Sequence, residues 1–175
     1  IFPALVAKYR LKKKVVYEIH STHGLFILRR LAFHVADGVV FITRKLQLAY
    51  DPHAKKVSSV VHCNGVDLAD YHVSGSKEEV RNGLQLPTDK LISLYVGSLL
   101  WYDLPMVCTA MKLLPSEWLL VCVGLKDSER QELELKAKEL GVWDRVLLRG
   151  RVEHSNIPRY LFAADVLVNP LVADL

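Results

Sequence analysis

Residues 57–72 read VSSVVHCNGVDLADYH, and what this stretch does decides the fold. Val57–Val61 has the β-branched content of a strand. Asn64-Gly65 then supplies the strongest short hairpin signal, and His62-Cys63 adds two metal-ligating side chains. Three outcomes are open: a hairpin, a metal site, or a passage from one domain into another. A hairpin needs a partner strand at once, and VDLADYH does not alternate. A metal site needs several ligands at suitable spacing, and the chain has no second His-Cys pair. His20 and His23 in HSTH, three residues apart, are no stronger. No metal site is expected, and a domain crossover is the reading that remains.

The charge distribution changes at the same place. Residues 1–60 hold 11 Lys/Arg against 3 Asp/Glu, and residues 61–175 hold 12 against 16, within an overall net charge of +4. The basic run KYRLKKK (residues 8–14), with Arg29-Arg30, suits an anionic lipid face, a phosphorylated substrate or nucleic acid, or else a solvated helix face. The 175 residues, 51% of them hydrophobic, suffice for one medium domain or two small ones. No apolar run approaches the roughly 20 residues of a membrane span, and in IFPALVAKYRLKKK the charge follows the apolar part, the reverse of a signal peptide. An odd cysteine count without CxxC spacing argues against a disulfide framework or zinc ribbon. Cys122, within WLLVCVG, reads as core, which suits a reducing, cytoplasmic setting. The chain starts at Ile1 without Met and stops at VNPLVADL, so both ends are expected to be cut inside a larger protein.

Seven short β-type runs recur: Val15–Ile19, Val39–Ile42, Val57–Val61, Leu91–Val96, Trp118–Val123, Val146–Leu148 and Val166–Val168. Most are continuously apolar, as strands buried on both faces are. Helical spacing lies between most of them. Leu25, Leu28, Ala32 and Val35 share one face. Ser128 with Gln131 reads as a capping-box start, followed by Leu133, Ala137 and Leu140 and stopped by Gly141. Asn156 precedes Ile157, Tyr160, Leu161 and Ala164, with Pro158 tolerated in the first turn. The alternation predicts an α/β fold, parallel sheets with helices on both faces. It breaks once, between Asn64 and Pro87, where no strand is expected.

Open parallel sheets bind ligands beyond the carboxyl ends of their strands. His20-Ser21 follow the first run, Asn64-Gly65 the third and Asn169-Pro170 the last. Three consecutive strands of the second half end in Gly97-Ser98, Gly124-Leu125-Lys126 and Gly150-Arg151. Glycine lets backbone N–H groups approach phosphates and sugars closely, so these tips are expected to leave main-chain donors free for a nucleotide-type ligand. Neither a dinucleotide fingerprint nor a Walker loop is present.

The pieces VVYEIHS (15–21), ADGVVFITRKL (36–46), VVHCNGVDLADYH (60–72), LQLPTDKLISLYVGSLLW (84–101), WLLVCVG (118–124) and LELKAKELGVWDRVLLRGRVEHSNIPRYLFAADVLVNP (133–170) resemble, in that order, the family 4 glycosyltransferases of GT-B fold. The resemblance covers nearly the whole chain. It implies two Rossmann-like parallel-sheet domains, both incomplete: residues 1–66 as the end of an acceptor-side domain, residues 67–175 as the start of a nucleotide-sugar-binding domain. It implies a retaining transfer of a sugar from a nucleotide-diphosphate donor, without cofactor, metal or nucleic acid, to a glycan or lipid-linked acceptor, with the basic first half suited to peripheral contact with an anionic membrane. His20 matches the family's cleft histidine at the donor sugar. Gly97 matches the Gly whose backbone approaches the donor diphosphate, with Ser98 beside it at the donor; Gly124 and Lys126 lie in the second donor loop; and Arg151 and Val152, after Gly150, match the segment that holds the nucleobase.

The departures from that pattern are specific. The family places Arg after the Gly of VG and Lys-Gly five residues on; here stand Ser98, Asp103 and Leu104. An Asp in place of Lys would repel a diphosphate, leaving Lys126 or Arg151 to supply the charge. The paired Glu expected after VNP and the N-terminal Gly-rich loop fall outside the sequence, so the fragment alone is expected to be inactive. Two rivals follow: a GT-B sugar-nucleotide epimerase, and a degenerate GT-B domain acting as a binding module.

Overall fold

A computed structural model describes residues 2–21, 26–51, 58–98 and 103–171, with the side chains of 26–30 left aside. The chain divides into two compact units, residues 1–66 and 67–175. In the first, a helical segment (α1, Phe2–Leu5, continued as a wider turn over Val6–Arg10) precedes β1 (Val16–Ile19), α2 (Phe26–Val35), β2 (Gly38–Phe41), α3 (Arg44–Tyr50) and β3 (Ser59–Val61). The strands form one parallel sheet in the order β1-β2-β3. Ile19, Phe33, Val39, Phe41 and Leu46 make its core. Leu25 of the expected helical face lies outside the described residues.

Two polar devices order this unit. Asp37, in the α2–β2 turn, accepts from the Val15 N–H (2.9 Å) and from Lys8 Nζ (3.0 Å). The Val15 N–H, with Lys8 second, holds its carboxyl below the usual range. Lys8 also donates to the Val35 carbonyl (2.7 Å). One lysine of the basic run thus ties the first helix to the β2 entry. Thr43 caps α3, its Oγ1 accepting from the Leu46 N–H (3.2 Å). No strand follows Asn64-Gly65: residues 62–67 are irregular and lead into a short 3₁₀ turn at Leu68–Tyr71. The hairpin signal is not realised: β3 pairs with β2 in parallel, and no strand is formed by the residues directly after Asn64-Gly65.

The second unit holds α4 (Lys77–Gly83), β4 (Leu91–Val96), α5 (Leu104–Met111), β5 (Trp118–Val123), α6 (Asp127–Glu139), β6 (Val146–Leu148), α7 (Ile157–Ala163) and β7 (Val166–Leu167). Its four parallel strands run in the order β6-β5-β4-β7. Both faces are covered, which is why the strands read as unbroken apolar runs. Along β5, Leu120 and Cys122 face α5 and α6, beside Cys108, Leu133 and Ala137. Val121 and Val123 face the opposite way, beside Val80, Tyr160 and Ala163. Burial pushes both core thiols up, Cys108 to about 11, so neither is a ready thiolate.

One helix lies where the sequence shows no helical period, and one helix start needs correction. The stretch between Asn64 and Pro87 contains α4, started by a full capping box: Ser76 Oγ accepts from the Glu79 N–H (3.2 Å) and Glu79 Oε2 from the Ser76 N–H (2.7 Å). Helix α6 begins at Asp127, before the Ser128 start read from the sequence. Glu129 Oε2 accepts the Lys126 N–H (2.7 Å), which moves the helix start back and leaves Ser128 within the first turn.

Helix α4 matters because it carries Arg81, buried and satisfied on three sides. Nε donates to the Ala163 carbonyl (2.9 Å), Nη1 to the Lys90 carbonyl (3.0 Å) and Nη2 to Asp165 Oδ2 (2.7 Å). Asp165 also accepts from the Ile92 N–H and from Lys77 Nζ, both at 2.7 Å. Burial alone would raise the Asp165 pKa, but bonds from Lys77, Ile92 and Arg81 together outweigh it and hold the carboxyl at about 2. The folded pKa lies below the ordinary 3.8, so this contribution is present above pH 4 and lost as pH falls toward 2. Asp165→Asn is expected to cost about 2 kcal/mol at pH 7. The gap from wild type in urea denaturation should close between about pH 4 and pH 2; a gap independent of pH would remove the ion pair as its cause.

Candidate functional site

From β4 the chain steps outward to β5 and β6, then returns with β7 on the other side of β4. The strand order reverses between β4 and β7, and open parallel sheets bind ligands beyond the carboxyl ends of the strands at such a reversal. Gly97 ends β4 there, and the Asp103 N–H donates to the Pro170 carbonyl (2.8 Å), joining the start of α5 to the chain leaving β7. Residues 99–102, between them, lie outside the described residues.

The three glycines gather at one end of the sheet, and the amides of two of them are engaged. The Gly97 N–H donates to the Val123 carbonyl (2.9 Å) and the Gly124 N–H to the Gly150 carbonyl (3.0 Å). The parallel ladder runs one residue past the strands and engages both amides, so the expectation that the tips leave these main-chain donors available is corrected. The glycines serve close backbone packing. A Cβ on Gly124, where φ is +95°, would sit 3.2 Å from the Gly97 carbonyl oxygen. Gly97, at φ +152°, lies over the buried Tyr95 ring, 3.0 Å from its hydroxyl when a Cβ is placed there. That hydroxyl donates to the Ser98 carbonyl (2.7 Å). Tyr95 thus clamps the turn leaving β4.

Side chains around these tips differ in what they offer. Asp103 caps α5, accepting the Met106 N–H (2.9 Å). The residue type that breaks the family's basic pattern therefore has a local task. Lys126, the residue before α6, is exposed, as is Arg151. Val152 packs against the core under α4 and α7. The sequence reading passed over Arg130. It stands on α6 with Nη1 3.7 Å from where a Cβ on Gly150 would lie. Its Nε is shielded from solvent without a partner among the described residues, and Nη1 makes only a long 3.4 Å contact with Asp127. Its place in an ordinary charged helix sequence hid it; only the fold brings that helix face to the β6 tip. His20 ends β1 in the first unit, exposed, with Nε2 3.3 Å from Glu18 Oε1. His23 lies outside the described residues. Among the described residues no cluster of three His, Cys, Asp or Glu side chains could hold a metal ion.

The Glycosyl transferases group 1 family model matches residues 76–172, more than half of the chain. The chain belongs to the group 1 glycosyl transferases. No curated protein sequence was found to match it. Among solved structures, this group 1 chain is similar to Anabaena HepE in complex with UDP, at 21% identity and TM-score 0.76, covering 94% of this chain and 48% of that one. It is also similar to a glycosyltransferase from Rickettsia africae, at 15% identity and TM-score 0.73 over 94% and 47% of the two chains. A third likeness is to sucrose-phosphate synthase from Thermosynechococcus elongatus, at 21% identity and TM-score 0.66 over 91% and 46%. These likenesses are of fold, α/β with parallel sheets of the GT-B glycosyltransferase type. The group 1 chain spans about half the length of the structures it matches.

Gly124→Ala places a Cβ in strained backbone against Gly97, and is expected to destabilise the second unit by on the order of 1–3 kcal/mol. Tyr95→Phe removes the clamp on Ser98 without strain and should cost about 1 kcal/mol. Thermal unfolding of both variants tests this ranking; an unshifted midpoint for Gly124→Ala would mean the tips are not closely packed.

Proposed function

We propose that this chain belongs to a family 4 glycosyltransferase that moves a sugar from a nucleotide-diphosphate donor to an acceptor hydroxyl with retention at the anomeric carbon. The observation that carries the reading is the group 1 family match over residues 76–172, on a sheet whose order reverses beside the Gly97 tip. In the transfer, the bond from the anomeric carbon to the diphosphate oxygen breaks and a bond to the acceptor oxygen forms. The diphosphate departs with the bonding pair and takes up the proton that the acceptor hydroxyl loses. The chief electrostatic demand is charge on that leaving group. Because the Gly97 and Gly124 amides are engaged, the charge falls to side chains, and Lys126, Arg130 and Arg151 are the cations placed at these strand ends. Ser98 and Gly150 line the same path, and Val152 supports the segment that receives the base. His20 takes the contact with the donor sugar.

HepE was solved with UDP and with UDP-glucose, which favours a uridine donor here. No metal or nicotinamide enters this reading. A glycan or lipid-linked acceptor, and a cytoplasmic site with the basic segment against an anionic membrane face, complete it. Among the described residues no helix is long and apolar enough to cross a membrane. Isothermal calorimetry with UDP, GDP and their sugars is the test. Saturable binding of UDP and UDP-glucose is expected. His20→Ala should weaken UDP-glucose roughly tenfold while leaving UDP unchanged, as loss of one hydrogen bond from a chargeable group does. Absence of binding to UDP, to GDP and to their sugars would leave only the degenerate binding module.

A further inference from the structure

Next to the β6 tip, a pocket of about 280 Å³ opens between the end of α4, the segment after β6 and the first turn of α7. Arg149, Arg159, Asn156 and Gln85 supply its polar groups, and none of the residues lining it is acidic. Both arginines are short of partners. Arg159 is half-buried, makes no hydrogen bond or ion pair with any described residue, and lies so close to Gly83 that a Cβ there would fall 2.7 Å from its Nη2. Arg149 makes one long bond, Nη2 to the Gln85 carbonyl at 3.3 Å, and its Nε is buried without a partner. By contrast, the buried Arg81 guanidinium is answered on three sides and the half-buried Arg145 by the Met111 and Leu114 carbonyls.

Two half-buried guanidinium groups in one pocket repel each other and leave donors unmet, and both costs vanish when an anion enters. The charge selects the anion. A carboxylate brings one negative charge, whereas a phosphate dianion brings close to two, with three acceptor oxygens for paired N–H donors. The Asn156 amide and Gln85 side chain add neutral donors of the kind that hold phosphate or sugar hydroxyls. Of the residues assigned to the donor, Val152 lines the pocket, and none of Gly97, Ser98, Gly124, Lys126, Gly150 and Arg151 does.

We propose that this pocket is a second ligand site, for inorganic phosphate or a small phosphate monoester, held between Arg149 and Arg159 and separate from the strand-tip glycines. The proposal does not rest on the donor reading above. Its test is calorimetry on the chain with inorganic phosphate, glucose 6-phosphate and sodium acetate at matched ionic strength. Phosphate should bind saturably and acetate should not. Tighter binding of glucose 6-phosphate than of phosphate would identify a monoester as the ligand, and the reverse would identify the free ion; either supports the site. Arg159→Gln should weaken phosphate by roughly tenfold or more, the loss expected for a charge-assisted bond, and Arg159→Lys by less. Arg149→Gln also removes a bond to Gln85, so its thermal midpoint is read alongside its affinity. Phosphate binding unchanged in Arg159→Gln, or abolished by saturating UDP, would overturn the proposal, since the ion would then sit elsewhere or in the donor's own place.

Discussion

The second unit depends on a single carboxylate. Asp165 stands at the entry to β7 and takes the Ile92 amide of β4, the Arg81 guanidinium from α4 and the Lys77 ammonium. A partly buried charge is tolerable only when its lone pairs are filled, and here three elements must meet for that to happen. Arg81 in turn needs the Ala163 and Lys90 carbonyls, which brings in the end of α7 and the chain entering β4. Because β7 is held beside β4 by this arrangement, the strand order reverses where it does, and the strand ends that follow from it are placed.

At the opposite end of the sheet the governing constraint is steric. Gly124 and Gly97 pack backbone on backbone, and the ladder continues through both amides. A tip closed in this way is rigid but offers fewer main-chain donors than an open phosphate loop. The fold brings one long cationic side chain, Arg130, against Gly150. The Asp103 that departs from the family's basic pattern is explained by α5, whose first turn it caps. A helix start needs an acceptor at that position, and this local demand is met at a residue where the family keeps a cation.

Much of the architecture was legible because burial on two faces leaves a strong trace. All seven apolar runs contain strands, three with the bounds read from the sequence and the others within a residue or two of them, and Leu133, Ala137 and Tyr160 lie in the core on the helices read from their spacing. Helix α4 was not legible as a helix. Only Val80 and Arg81 are buried within it, so it shows no apolar period, and its capping box stood among polar and glycine residues that read as loop. The start of α6 was misplaced because Ser128 and Glu129 offer competing caps, and the one that wins is settled by which carboxylate reaches the Lys126 amide.

The sequence by itself determined that this is a parallel α/β chain with glycine after three successive strands. Apolar runs and turn residues are local properties, written in consecutive positions. Only the tertiary structure decided what those glycines do, which arginines are satisfied and which stand together without a counter-charge. Those outcomes depend on groups far apart in the chain, such as Arg81 with Asp165, Arg130 with Gly150 and Arg149 with Arg159, and no spacing along the sequence records such a meeting.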